Sequence, residues 1–286
     1  MIDLHTHTTA SDGRCSPAEL VARAAAADVD VLSVTDHDTT AATGAALSAC
    51  TSAGIEFVPG IEITAVVADR DVHVLGYFID PDSASLAGFL AEQRRRRLDR
   101  VRQIIDRLKT LGIVLDEEAV LRPGRDDTTR AAGRPWIARA LVAGRHVADT
   151  KEAFDRFLAT GKPAFVPRIG PSAIDVFARI HESGGIASLA HPGLLGRDDL
   201  IQGFARDGLD AIEAHHSRHA PDDTQRYLAM ADEYGLAVSG GSDYHADPSH
   251  DVGGPGSVSL SPEAFQVLKD RCAARRATAS GATTSS

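Results

Sequence analysis

Short apolar segments with the character of strands alternate along the chain with segments of helical spacing. Seven segments predict strands: MIDLHTH, VDVLSVTDH, IEFVPGIEIT, DVHVLGYFI, GGIASLAHP, LDAIEAHH and LAVSGGSDYH. Helical segments separate most of them, and the first of these has Ser16 as a candidate N-cap, Pro17 at the first helical position and Glu19 completing a capping box. Strands that alternate with helices predict βα units, and therefore an α/β fold built on a parallel sheet or barrel.

One long interval interrupts this alternation. The fourth and fifth strand segments lie roughly a hundred residues apart, which is far more than one crossover helix needs. Several segments of helical spacing fill the interval. We therefore predict a barrel formed by residues 1–84 and 166–274, with a helical insertion at 85–165 that lies beside the barrel mouth as a lid. The small, polar residues of 275–286 predict a disordered tail.

Composition narrows the classes of function. The chain has 286 residues, of which 43% are hydrophobic, and its formal net charge is −10. This charge argues against non-specific binding to nucleic acid, which needs a basic surface, but it is compatible with one anionic substrate in a locally positive pocket. No apolar stretch is long enough to span a bilayer, and none has the pattern of a signal peptide. Cys15, Cys50 and Cys272 form no CxxC pair, so we expect a cytoplasmic protein with reduced thiols.

Histidines and carboxylates are concentrated near the ends of the predicted strands. They are His5, His7, His37, Glu62, His73, His191, Glu213, His215, His216, Asp243 and His245, with Asp12 in the loop after the first strand. In a βα barrel the carboxyl ends of the strands share one rim, so we expect these side chains to converge. Imidazole and carboxylate without thiolate suit manganese, iron and zinc, and the donors are too numerous for one ion.

Six of these segments carry a resemblance to a known family. DLHTHTTASDG, SVTDHDT, GIEIT, HVLGY, LAHPG and GSDYH resemble the successive motifs of the polymerase and histidinol phosphatase (PHP) family of metal-dependent phosphoesterases, from residue 1 to about 250. The resemblance implies a distorted (β/α)7 barrel with a helical insertion after the fourth strand. It also implies three metal positions, held by His5, His7, Glu62 and Asp243, by Asp12, His37 and His245, and by Glu62, His73 and His191.

The resemblance is strongest to one branch of the family. Asp rather than His at position 12, together with the insertion after the fourth strand, resembles the branch that contains nucleoside 3′,5′-bisphosphate phosphatases and a 5′→3′ exoribonuclease. The implied reaction is hydrolysis of a phosphate monoester of a small nucleotide, such as the 3′-phosphate of a nucleoside 3′,5′-bisphosphate. The resemblance implies two or three divalent metal ions and a hydroxide that bridges two of them and attacks the phosphorus. Manganese is the expected metal, with iron or zinc as alternatives.

Four other functions remain open at this stage. A 5′→3′ exoribonuclease acting on short RNA would use the same metal ions in an open groove. A histidinol phosphatase fits Asp12 and the large insertion poorly. An amidohydrolase-type deaminase has different motif spacing, and a non-catalytic PHP scaffold tends to lose metal ligands, whereas this chain retains a complete set.

Basic residues of the insertion are candidate phosphate contacts. Arg134 begins an inserted helix, and Lys162 and Arg168 lie near the return to the barrel, where their side chains could bind phosphate oxygens. Arg134 lies in a segment resembling a family motif that commonly has His where this chain has Trp136, an indole that could stack on a base. The run RRRR at 94–97 predicts the solvated surface of an amphipathic helix rather than an RNA-binding groove.

Two further groups of residues are assigned supporting roles. His216 and His219 are candidates for contacting phosphate or for donating a proton to the leaving oxygen. Asp3, Asp36 and Asp38 are candidates for accepting the outer N–H groups of the ligand imidazoles.

Overall fold

A single sheet of seven strands forms the centre of the protein. The computed structural model describes residues 1–68 and 70–283. The strand order follows the sequence: β1 (Ile2–Asp3), β2 (Val31–Val34), β3 (Glu56–Val67), β4 (Arg70–Tyr77), β5 (Ile186–Leu189), β6 (Ala211–His216) and β7 (Ala237–Gly241). Beyond β1 and β7, the His7 N–H donates to the Tyr244 carbonyl at 2.9 Å and the Asp243 N–H donates to the His5 carbonyl at 2.8 Å. These bonds bring the sheet edges together as a nearly closed barrel, which confirms the predicted α/β fold with a distorted (β/α)7 barrel.

Strand β4 runs against its neighbours. β1, β2 and β3 are parallel, and so are β5, β6 and β7, but β4 is antiparallel to both β3 and β5. The expectation of a parallel sheet is therefore wrong at β4. Only two residues separate β3 from β4, and a connection that short can join only antiparallel strands. As a result, β4 begins at the rim where the parallel strands end.

Helices surround the barrel and fill the interval between β4 and β5. They are α1 (Pro17–Ala26), α2 (Thr43–Ala53), α3 (Ala84–Thr110), α4 (Glu117–Asp126), α5 (Arg134–Ala143), α6 (Thr150–Ala153), α7 (Ala173–Glu182), α8 (Pro192–Leu195), α9 (Ile201–Arg206), α10 (Pro221–Tyr234) and α11 (Pro262–Thr283). Ser16 and Glu19 form the predicted capping box at the start of α1. In the described part of the chain, no helix is long and apolar enough to cross a membrane.

The C-terminal segment differs from its predicted disorder. Helix α11 continues to Thr283, so residues 275–283 are helical, and 284–286 lie outside the described residues. Arg275 in this helix donates to Asp210, the residue just before β6, and the two side chains form an ion pair. This contact, which composition cannot show, holds the beginning of the segment against the barrel.

Helices α3 to α6, in the interval between β4 and β5, share an apolar core of their own and rest on the barrel rim. Their buried side chains include Ile104 of α3, Leu121 of α4 and Ile137 of α5. Trp136 is only 5% exposed and its indole N–H donates to the Ser11 carbonyl at 3.2 Å. The indole is therefore part of the contact with the first barrel loop rather than a free surface for stacking on a base.

The seam between β1 and β7 has no room for a side chain at Gly241. A Cβ at this position would lie 2.4 Å from the His5 backbone nitrogen and 2.5 Å from the His5 Cβ. We therefore expect Gly241→Ala to lower the free energy of unfolding by about 3 kcal/mol, because backbone atoms must move to accommodate the methyl group. Urea denaturation followed by circular dichroism measures this change.

Gly88→Ala is the matched control, because Gly88 is exposed in α3 and a Cβ there meets nothing within 4 Å. It should stabilise the protein by up to about 1 kcal/mol through helix propensity. Equal unfolding free energies for Gly241→Ala and the unaltered chain would show that the seam is looser than described here.

Candidate metal centre

The nine side chains predicted to bind metal ions converge at one end of the barrel. Each of them has a donor atom within 4 Å of a donor atom of another: His5, His7, Asp12, His37, Glu62, His73, His191, Asp243 and His245. Most follow the carboxyl ends of parallel strands, as expected for a barrel. His73 reaches the same rim because β4 is antiparallel and begins there.

Glu62 is the centre of this arrangement, and its side chain is 1% exposed. Its Oε1 lies 2.7 Å from His73 Nδ1 and 3.2 Å from His191 Nε2. Its Oε2 faces the other side, 3.3 Å from His7 Nε2 and 3.1 Å from His37 Nδ1. The two oxygens thus divide the surrounding imidazoles into two sets, which is the geometry a carboxylate needs to bridge two ions.

Two further carboxylates extend the cluster on the side of Glu62 Oε2. Asp243 Oδ1 lies 3.2 Å from His7 Nε2. Asp12 Oδ1 lies 3.4 Å from His245 Nε2, and Asp12 Oδ2 lies 3.6 Å from His37 Nε2. His7, Asp12, His37 and His245 form one of several groups whose ligand atoms all lie within 4.8 Å of one another.

The chemistry of the donors fits divalent transition-metal ions. The Nδ1 atoms of His7, His37 and His73 are buried without any hydrogen bond. Two of these nitrogens nevertheless lie within about 3 Å of Glu62 oxygens, close but misaligned for hydrogen bonding. Buried polar atoms without partners are rare, and nitrogen and oxygen atoms that point at a common space are placed as metal ligands are.

The charges of the clustered side chains also favour bound cations. Burial raises the pKa of Glu62, but the surrounding imidazoles outweigh this effect and hold the pKa well below its usual value. Nearby imidazoles likewise hold the pKa values of Asp12 and Asp243 well below their usual value, against the effect of burial. Burial lowers the pKa of His7, yet its hydrogen bonds to carboxylates raise the pKa to about 10. Burial brings the pKa of His37 to about 3. These three carboxylates thus stay ionised and need positive charge beside them, from protons or from cations.

Glu213 supports two of the candidate ligands, a role that the sequence analysis did not assign. Its Oε1 accepts from His5 Nδ1 at 2.9 Å, and its Oε2 accepts from the His191 backbone N–H at 2.7 Å. His191 has a φ of 28°, a rare value for a residue with a side chain, and the second bond holds it there. An acidic residue in a strand otherwise buried on both faces was the signal available in the sequence.

Asp3, Asp36 and Asp38 do not have the role predicted for them. Asp3 and Asp36 accept hydrogen bonds from backbone amides and hydroxyl groups. Asp38 forms an ion pair with Arg97. Within the described residues, none of the three accepts a hydrogen bond from a candidate ligand imidazole.

A cleft of about 420 Å³ lies over the cluster, and arginines line its other wall. Asp71, at the start of β4, lies between three of them: 3.7 Å from Arg100 Nη1, 3.5 Å from Arg134 Nη2 and 3.4 Å from Arg168 Nε. The prediction for Arg134 and Arg168 thus corresponds to residues that line the cleft. Lys162 is exposed and is not among the lining residues.

The arginine run of α3 is only partly the solvated surface that we expected. Arg95 and Arg96 are exposed and pair with Glu92. Arg97 is only 6% exposed, however, and its guanidinium also donates to the Thr64 hydroxyl at 3.1 Å. The expectation is therefore wrong for Arg97, which lines the cleft together with Arg100 of the next turn.

His216 and His219 lie at different depths. His216 Nε2 is 3.3 Å from Asp243 Oδ2, and its Nδ1 accepts the Arg218 backbone N–H at 3.1 Å. His219 does not line the cleft. Both of its ring nitrogens are hydrogen-bonded to backbone: Nδ1 donates to the Ala214 carbonyl, and Nε2 accepts from the Gly193 N–H. His216 is therefore placed to orient Asp243, and neither ring has a free nitrogen directed at a substrate.

A barrel rim that gathers six imidazoles and three carboxylates beside an arginine-lined cleft defines a metal-dependent enzyme for anionic substrates. The family model for the PHP domain matches residues 3–126. The 3′,5′-nucleoside bisphosphate phosphatase of Chromobacterium violaceum is 36% identical, over 88% of this chain and 90% of its own length. The 5′-3′ exoribonuclease Rnm of Escherichia coli is 36% identical, over 85% of this chain and 84% of its own.

A solved structure also indicates a metal-dependent phosphoesterase. A structure from Bifidobacterium adolescentis, whose name places it among metal-dependent phosphoesterases, has a TM-score of 0.86 and 30% identity, with 94% of this chain and 95% of that chain covered. The chain belongs to the PHP family. It is a metal-dependent phosphoesterase, similar to the branch that contains the bisphosphate phosphatase and the exoribonuclease.

The contacts of Glu213 generate a prediction for metal affinity. Gln can offer only one oxygen, so Glu213→Gln must lose the hydrogen bond to either His5 or His191. We expect Mn²⁺ affinity, measured by isothermal titration calorimetry, to fall by about 10-fold to 100-fold. Glu233→Gln, an exposed change on α10, is the control and should bind as the unaltered protein does. Unchanged affinity in Glu213→Gln would remove Glu213 from the support of the centre.

Proposed function

We propose that this enzyme removes the 3′-phosphate from nucleoside 3′,5′-bisphosphates with two or three divalent ions, of which manganese is the expected one. One ion would be held by His5, His7, Glu62 and Asp243, a second by Asp12, His37 and His245, and a third by Glu62, His73 and His191. The contacts of Glu62 support the first and third of these positions, because Oε2 lies beside His7 whereas Oε1 lies beside His73 and His191. When bound, such ions polarise phosphoryl oxygens and lower the pKa of a water molecule.

The observation that carries the proposal is that two anion-attracting groups line one small cleft. The candidate metal ligands form one wall, and Arg100, Arg134 and Arg168 form another. Arg134 is the most exposed of the three, with 24% of its side chain accessible, so its guanidinium can reach a ligand in the cleft. Guanidinium groups pair with phosphate oxygens in a planar fork, and two separated phosphates on one nucleotide would meet both walls.

Asp71 sets the position of this second wall. Its carboxylate lies between the three guanidinium groups. Burial raises the pKa of Asp71, but the attraction of the three guanidinium groups is stronger and holds this pKa below its usual value, so the carboxylate stays charged. The carboxylate thereby orients the arginines before a substrate arrives. It neutralises only part of their charge, so the wall remains attractive to one more anion.

An exoribonuclease acting on short RNA is the second candidate. Arg139 and Arg218 also line the cleft, and neither forms an ion pair within the described residues. Such groups would suit the further phosphates of a polynucleotide. The relative named 5′-3′ exoribonuclease Rnm is as similar to this chain as the relative named bisphosphate phosphatase.

We assign the reaction to the cytoplasm. Cys15, Cys50 and Cys272 are buried and unpaired, which favours a compartment that keeps thiols reduced.

A substrate panel tests the proposed function. With Mn²⁺ supplied, kcat/KM for phosphate release from adenosine 3′,5′-bisphosphate should exceed that from adenosine 3′-monophosphate by at least about tenfold, because only the bisphosphate meets the arginine wall. Arg134→Gln should raise KM for the bisphosphate by about tenfold and leave the monophosphate nearly unchanged. Lys162→Gln, outside the cleft, should leave both substrates within about twofold.

Three outcomes would contradict the proposal at different levels. Equal efficiency on the two nucleotides would exclude the arginine wall as a phosphate site. Cleavage of 5′-phosphorylated oligoribonucleotides at rates independent of length would favour the exoribonuclease. Failure to release phosphate from any phosphoester would leave the substrate class without support.

A further inference from the structure

One histidine beside the centre belongs to none of the metal positions described above. His250 lies on the loop after His245 and lines the cleft, with 34% of its side chain exposed. Its ring centroid is 4.2 Å from that of His245, and its Nε2 lies 4.0 Å from Asp243 Oδ2. The ligand atoms of Asp243, His245 and His250 all lie within 4.8 Å of one another.

The second ring nitrogen of His250 is held by a carboxylate. His250 Nδ1 lies 3.2 Å from Asp251 Oδ1, and a carboxylate can only accept, so Nδ1 carries the proton and Nε2 keeps its lone pair. Asp251 is itself fixed, because it accepts the backbone N–H groups of His245 at 3.0 Å and of Asp247 at 2.8 Å. Arg218 donates to the His250 carbonyl at 2.8 Å and holds the backbone from the opposite side.

This arrangement is the usual support of a metal-binding histidine. Such a ring donates its outer N–H to a carboxylate or a carbonyl, which sets the tautomer and the direction of the ligand nitrogen. Among the described residues, no polar side chain lies within hydrogen-bonding distance of His250 Nε2, and the oxygen of Asp243 beside it is 4.0 Å away. A free lone pair 4.0 Å from a carboxylate oxygen leaves the separation that two ligands of one ion need.

We propose that His250 binds a metal ion and that its Nε2 and Asp243 Oδ2 together hold a cation position at the mouth of the cleft, beside the ring of His245. The inference rests on the proposed metal-dependent function, since Asp243 is shared with an ion placed beside Glu62: its Oδ1 faces His7, and its Oδ2 faces His250. His250 is partly exposed whereas Glu62 is buried, so the ion at the mouth exchanges with solvent more readily than the ions below it. The mouth position is therefore the weakest of the metal sites.

Titration of the metal-free protein with Mn²⁺ tests the inference, with free Mn²⁺ measured from its six-line electron paramagnetic resonance signal. The unaltered protein should show tight binding followed by a weaker class. In His250→Ala the weaker class should lose about 10-fold to 100-fold in affinity, and in Asp251→Asn about tenfold, while the tight class is retained. His215→Ala removes a half-buried histidine of β6 that does not line the cleft, and this variant should match the unaltered protein.

The titration separates the failure of this inference from the failure of the proposed function. If the unaltered protein binds no Mn²⁺, both the mouth position and the metal centre are wrong. If it binds Mn²⁺ and His250→Ala gives the same isotherm, only the role of His250 is overturned, even if phosphatase activity falls. Retention of the tight class in His250→Ala shows that this variant keeps its fold, and loss of every class would assign His250 to the structure of the site instead.

Discussion

The buried carboxylate of Glu62, surrounded by imidazoles, sets the charge balance of the whole barrel rim. Glu62 lies within 3.4 Å of ring nitrogens that follow β1, β2 and β5 or lie near the start of β4. Asp243 adds a second buried negative charge, and Asp12 adds a partly buried one. An uncompensated buried charge costs several kcal/mol, so the barrel rim is stable only when cations or protons balance it. Metal binding and folding of the rim are therefore coupled.

The reversal of β4 links the two walls of the cleft. In a wholly parallel barrel, the first residues of a strand would lie at the opposite end from the ligands. Because β4 is antiparallel, Asp71 and His73 near its beginning lie at the rim. His73 contacts Glu62, and Asp71 contacts the arginines of the insertion. One short strand thus joins the metal ligands to the anion-binding wall.

Much of the fold and the ligand set could be predicted from local patterns. Alternation in DLHTH places His5 and His7 on one face, and strand ends in a barrel share a rim, so the convergence of these residues follows from short-range geometry. The direction of β4 did not follow, since the expected alternation of strands and helices hid the short β3–β4 connection.

Partners that are distant in sequence could not be predicted from such patterns. Arg97 resembles its exposed neighbours in the helix, and only the tertiary position of Asp38 explains why it is buried. The same holds for His219, whose two nitrogens bond to the backbone of separate loops. Glu213 was visible as an acidic residue in a strand, but its hydrogen bond to His5 depends on β7, which pairs with β6 and lies beside the first strand.

Anomalous diffraction from crystals grown with Mn²⁺ and measured at the manganese edge tests the bridging role of Glu62 most directly. We expect separate anomalous peaks near Oε1 and Oε2, each about 2.2 Å from its oxygen and on the side of its own imidazole set. A map without peaks beside Glu62, in which both oxygens bond only to protonated histidines, would contradict the metal centre described here.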